Sequence, residues 1–248
     1  ARFPAEAERA GAESPTARVG DDRAEGFRTC RHREPMQSLD NTYLEAELRE
    51  FHARLVRLLG REDLAYVVEP KIDGLAVSLT FERGTFVRAV TRGNGIEGDD
   101  WTANARTLRH LPKKLQEAAG SVLPQSVEIR GEIFMSRAEF QRINQAREEE
   151  GLEPYANPRN LTAGTIKLLD SAEVAQRRLE IALYGSGYCD PPGAAADTQS
   201  GWHEQIRAWG LPGQERIWRA RGIDEAWASV QELDGLRRGF SYGTEVAV

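Results

Sequence analysis

The chain has 248 residues, with 33 Lys and Arg against 39 Asp and Glu, for a formal net charge of −6. That length suits one large domain or two lobes around a full core, and no global basic excess advertises nucleic-acid affinity. There is no run of 18 apolar residues and no signal-like segment, and Cys30 and Cys189 are too few and too isolated for a zinc site; a membrane or secretory role has no support, a disulfide cannot be inferred, and a cytoplasmic location is expected.

In chain order, basic clusters at 28–33 and again at 106–114 are candidates for phosphate-backbone contact, although such clusters are commonly plain surface. The spacing of Leu44, Leu48, Phe51, Leu55 and Leu59 predicts a helix over 43–59, capped by Asp40 or Asn41. Two strands follow, at 65–68 and 75–81, on either side of Lys71-Ile72-Asp73-Gly74. A lysine at the end of a buried strand is either ion-paired or stripped of its proton, and a deprotonated amine is a nucleophile. Glu69, two residues before it, shares its face of the strand, while Gly74 permits a tight bend or close backbone approach.

Past that point, the hairpin-like FERGTFVRAVTRG leads into the glycine-rich TRGNGIEGDD, with Arg92 at its mouth. This is a polar hairpin loop or a site where a guanidinium fork meets phosphate or ribose oxygens. In VEIRGEIFM, alternation sets Glu128, Arg130 and Glu132 on one face and Val127, Ile129, Gly131 and Ile133 on the other, a solvated sheet surface or the lining of a cleft. A helix is expected from Arg137 to about Glu150, capped by Ser136, with Phe140 and Ile143 inward. Asn157, Arg159 and Lys167 surround a proline turn and helix start, and Tyr184 ends an apolar strand before glycines. DPPGAAADTQSG reads as a loop, and helices at 202–209 and 224–236 are divided by the turn at Gly210. Antiparallel strands with helices outside them define an α+β class.

These strings, in this order, resemble the adenylation domain of bacterial NAD-dependent DNA ligases: SPTARVG, HREPMQSLDN, EPKIDGLAVSL, TRGNGIEGDD, VEIRGEIFM, ANPRN, AGTIKLLD, LYGSG and FSYGT. The resemblance covers most of the chain and implies a nucleotidyltransferase fold, with twisted antiparallel sheets flanked by helices around a nucleotide cleft. It implies that Lys71 becomes covalently joined to AMP, supported by Asp73 near the lysine and a metal. Glu69 would read the adenine amino group, Ser38 and Leu39 would lie along the base, and Tyr184 would stack on it. Arg92 and Glu132 would meet the ribose, Glu132 and Glu245 a Mg2+ ion, and Asn157, Arg159 and Lys167 the phosphates or leaving group.

The same resemblance implies NAD as AMP donor, nicked duplex DNA as partner of the full-length enzyme, no membrane partner, and a monomer. A nicotinamide-binding subdomain before this stretch and DNA-binding domains after it would lie outside these 248 residues, so that the fragment binds AMP, self-adenylates slowly or not at all with NAD, and does not ligate alone. Departures from the family pattern are Lys167 for an arginine, Asn94 for an aspartate, and YGTEVAV where Asp-Gly and a later lysine are usual. An ATP-dependent nucleotidyltransferase and a non-catalytic nucleotide-binding module are the alternatives.

Overall fold

The computed structural model describes residues 24–37, 44–117 and 123–247, the last three of these as backbone only. Its largest sheet has four antiparallel strands in the order β4-β3-β6-β7, formed by β3 (Leu75–Glu82), β4 (Thr85–Thr91), β6 (Ser126–Phe134) and β7 (Glu180–Asp190). The β3–β4 hairpin closes through Arg83 and Gly84, both with positive φ (47° and 73°), the two-residue loop whose twist matches that of its strands.

Period-two alternation decides which face of this sheet is dry. Val77, Leu79 and Phe81 of β3, Val127, Ile129 and Ile133 of β6, and Ile181 and Leu183 of β7 are buried together. They are covered by Leu161 and Ile166 of α4 (Pro158–Ile166), Trp202 and Ile206 of α6 (Gln199–Ala208), and Trp101. Each such side chain removed from water contributes about 1.5–3 kcal/mol, so this face sets the register of all four strands. The opposite face carries Glu128, Arg130 and Glu132, as the alternation predicts.

A second sheet is built on β2 (Ala65–Ile72), whose first half pairs with β8 (Trp218–Arg221) and second half with β9 (Thr244–Ala247). This change of partner accommodates Pro70, which has no N–H to give and lies beyond the end of the β8 pairing. Helix α7 (Gly222–Leu236) packs Ala226 and Leu233 onto Val68 and Ala220. The two sheets meet at a small seam of Ile72, Phe134, Ala182 and Tyr242, where the Phe134 and Tyr242 rings lie edge to face at 5.2 Å. FSYGT thus closes the join between the strand carrying Lys71 and the strand carrying Glu132. A third pairing joins β1 (Thr29–Arg31) to β5 (Glu97–Asp99).

Several expectations need correction. Helix α1 runs Glu45–Leu59, with Leu44 outside it and Glu47 accepting from the Leu44 N–H. Only Leu48 of its apolar stripe is buried, and Leu44 and Leu59 are 62% and 56% exposed. Asp40 and Asn41 lie outside the described residues. Helix α3 (Arg137–Glu149) starts where expected, but the Ser136 side chain makes no capping hydrogen bond. Helix α6 begins three residues early because Thr198 caps it, and α7 two residues early. Strand β8 lay unrecognised between them, too short and charged for its pattern to show. Among the described residues the remaining α-helices are α2 (Thr102–Ala105) and α5 (Ser171–Gln176).

Candidate active site

The Lys-x-Asp-Gly turn is built by a close approach of backbones. A Cβ on Gly74 would sit 2.2 Å from the Ile133 carbonyl oxygen, so no side chain fits and the turn lies flat on β6. The Asp73 N–H donates to the Gly243 carbonyl at 2.8 Å, fixing the turn to the 240–243 segment as well. On β2, Val68, Pro70 and Ile72 are buried, which leaves Glu69 and Lys71 on the opposite face, toward the polar side of the large sheet.

Lys71, Arg159, Arg92 and Tyr184 converge on Glu132. Glu132 of β6 is buried enough that desolvation pushes its pKa up to about 7, against the opposing pull of Lys71, Arg159 and Arg92, whose positive charges favour its carboxylate. The Tyr184 hydroxyl donates to Glu132 Oε2 at a long 3.5 Å, and burial raises the pKa of that phenol too. Arg159, in the first turn of α4, binds Asp73 Oδ1 through Nη1 at 2.6 Å and ties that helix to the lysine turn. Arg92 leaves β4 where its backbone N–H still bonds Ala76, and its Nε is buried without a hydrogen-bond partner. A buried, unpartnered guanidinium nitrogen is a donor awaiting an acceptor.

Tyr184 does not end its strand. It is the extra residue of a β-bulge, since Arg130 pairs with Gly185 and Gly131 with Leu183, and β7 continues to Asp190. Bulges re-aim a side chain, and this one sends Tyr184 toward Glu132. The glycines that seemed to mark a strand end lie within β7. Nearby, Asn94 shapes the turn after Arg92: its Oδ1 accepts from the Ile96 and Glu97 N–H groups at 3.0 and 2.9 Å. An amide oxygen does this as well as a carboxylate, so the departure from aspartate is mild.

Other expected site residues stand differently. Asn157 spends its side-chain oxygen capping α4, accepting from the Asn160 N–H at 2.7 Å. Lys167 is exposed at the far end of the same helix, eight residues or roughly 12 Å along the axis from Arg159. Glu245 is paired through its backbone directly opposite Lys71. Ser38 and Leu39 lie outside the described residues.

Two residues of α6 join the site without any signal in the motifs. His203 is 1% exposed, and its Nε2 lies 2.5 Å from Glu69 Oε2. Gln199 Nε2 bridges Glu69 Oε1 at 3.3 Å and the Tyr184 carbonyl at 2.8 Å. Their i,i+4 spacing on a helix predicted one turn short was the only available hint. Arg130 likewise takes a structural post, donating through Nη2 to the Glu34 and Pro35 carbonyls at 3.1 and 3.2 Å. Glu128 faces Arg33 at 3.7 Å, and burial raises its pKa. The cysteines are both free, and among the described residues no helix is long and apolar enough to cross a membrane.

These elements define an α+β domain in which two antiparallel sheets bring a lysine, two arginines and a tyrosine to a partly buried carboxylate. Residues 24–248 match the family model of the NAD-dependent DNA ligase adenylation domain, and the chain belongs to that family. It is 63% identical over 235 residues to "DNA ligase 1" of Opitutus terrae, a match covering 95% of this chain and 35% of that protein. Against the DNA ligase of Fervidobacterium nodosum the identity is 52% over 69% of the chain and 24% of the relative. Against that of Thermodesulfovibrio yellowstonii it is 40% over 95% and 35%. The chain therefore spans about a third or less of the length of these relatives.

Proposed function

We propose that this chain carries the adenylation half-reaction of an NAD-dependent DNA ligase, on a nucleotidyltransferase fold whose cleft lies between the two sheets. The Lys71 ammonium gives up a proton to solvent and the free amine attacks the α-phosphorus of NAD; an N–P bond forms as a second N–H proton is released to solvent, the bond from that phosphorus to the bridging oxygen breaks, and nicotinamide mononucleotide leaves with the electron pair. AMP stays on the lysine as a phosphoramide. Tyr184 stacks on adenine and Glu69 accepts from its amino group. Arg92 and Glu132 meet the ribose. Arg159, aligned by Asp73, meets charge developing on the phosphate, with Asn157 and Lys167 at opposite ends of α4 as outer contributors. Such chemistry depends on in-line positioning and on cations where charge builds.

The donor chemistry suits Mg2+, a hard ion that takes one or two carboxylates and keeps several waters beside substrate phosphates. Glu132 would hold it, with Glu245 as a second candidate from β9; among the described residues no group of three His, Cys, Asp or Glu gathers as an all-protein cage. When bound, the ion supplies charge neutralisation at the phosphates. In the longer protein, the AMP would pass to the 5′-phosphate of nicked DNA in the cytoplasm.

One observation carries this reading: the turn after Lys71 lies against the strand of Glu132 at Gly74 and Ile133 and is held by Arg159 at 2.6 Å through Asp73, so an amine, a carboxylate and a guanidinium from three separate stretches of chain meet there. Intact-mass measurement after incubation with NAD or ATP plus magnesium tests it, using a protein extended to the length of the relatives and Lys71→Ala as control. Gain of one AMP from NAD, absent in the variant, is expected. Gain from ATP alone, or from neither nucleotide, would overturn the proposal.

A further inference from the structure

We propose that His203 is a positioning residue for purine selection, acting through Glu69; this rests on the reading of Glu69 as the acceptor for the adenine amino group. His203 is fully buried on α6, and at 2.5 Å a single proton must lie between its Nε2 and Glu69 Oε2. Without it, two lone pairs would face each other. The other ring nitrogen, Nδ1, is buried with no hydrogen-bond partner. A proton there would be an orphaned buried donor, which proteins avoid more strictly than an under-used acceptor.

A proton on Nε2 fits both ring nitrogens: it is donated to Glu69 and leaves Nδ1 bare, while the Gln199 amide, 3.2 Å from the same Nε2, turns its own protons to Glu69 Oε1 and the Tyr184 carbonyl. Glu69 then accepts from His203 through Oε2. Gln199 holds the other oxygen, with Nε2 3.3 Å from Oε1, while the same amide group anchors on the Tyr184 carbonyl at 2.8 Å. One helix thus ties together the carboxylate that meets the base edge and the strand that carries the stacking ring. A carboxylate restrained from behind by two donors presents only lone pairs to the cleft. A 6-amino purine gives it an N–H; a 6-oxo purine places an oxygen there, and the two acceptors repel.

The test measures binding of AMP and of inosine 5′-monophosphate to this chain by isothermal titration, for the wild type, His203→Leu and His203→Gln. The leucine variant removes the donor, while glutamine restores an N–H within reach. The wild type should prefer AMP, His203→Leu should lower that preference about tenfold, and His203→Gln should recover most of it. An unchanged preference in a folded His203→Leu protein, or no preference in the wild type, overturns the role of His203. If the wild type binds neither nucleotide, the reading of the cleft itself has failed and the inference goes with it. Should the leucine variant not fold, 15N spectra of the wild-type imidazole decide: a protonated Nε2 and bare Nδ1 are expected, and a proton on Nδ1 refutes the assignment.

Discussion

Glu132 should make the folded protein lose stability as pH rises through the range where this one carboxyl ionises. Burial is the dominant cause of its raised pKa, only partly offset by Lys71, Arg159 and Arg92, and places it at about 7 against an ordinary 4.5. Between those two values the folded chain holds a proton that the unfolded chain has released. Stability therefore falls with increasing pH, fully present below 4.5 and lost by the time pH passes 7. A difference of about 2.5 units corresponds to about 3 kcal/mol. Glu132→Gln is nearly isosteric, keeps the Tyr184 contact and cannot ionise. Urea unfolding of both proteins from pH 4.5 to 8 isolates this group, because every other titration is common to the pair. The stability of wild type minus variant should drop by about 3 kcal/mol across that window. A flat difference would mean that the carboxyl is solvated or already ionised by its cationic neighbours, and the description of Glu132 as a buried acid would be wrong.

Gly74→Ala drives a methyl into the Ile133 carbonyl region and should destabilise by about 1–3 kcal/mol, read as a lowered urea midpoint. A wild-type midpoint would show that the turn does not lie against β6. Asn94→Asp should unfold within about 0.5 kcal/mol of wild type, whereas Asn94→Ala removes the acceptor for two N–H groups and should cost about 1–3 kcal/mol; equal effects would refute the turn-shaping role. Asp73→Asn breaks an ion pair that is roughly half exposed on both sides, so the melting temperature should barely move. Lysine adenylation in the extended protein should nonetheless slow at least tenfold, by intact-mass time course, because Arg159 loses its alignment. An unaltered rate would remove Asp73 from the machinery.

The local chemistry was legible from composition and spacing. Alternation in VEIRGEIFM separated a charged face from an apolar one, FERGTFVRAVTRG read as a hairpin, and Asn157 before a proline marked a helix start. These features depend on residues close in sequence, where backbone periodicity and turn chemistry act alone. Helix boundaries were less faithful, because Leu44 and Leu59 follow the apolar period yet stay exposed. Whether a stripe is buried depends on what another part of the chain brings against it.

The string around Lys71, by itself, determined that an amine and an acid would share one face of a strand and that an acid and a glycine would follow where it bends, since pleat and steric constraint leave few other arrangements. Only the tertiary structure decided what surrounds that amine. The bulge aiming Tyr184 at Glu132, the docking of α4 through Arg159 and Asp73, and the seating of His203 and Gln199 behind Glu69 all join segments dozens of residues apart. Those contacts arise from the packing of two sheets across the Ile72–Phe134–Tyr242 seam, an outcome of burial over the whole chain that no local pattern encodes.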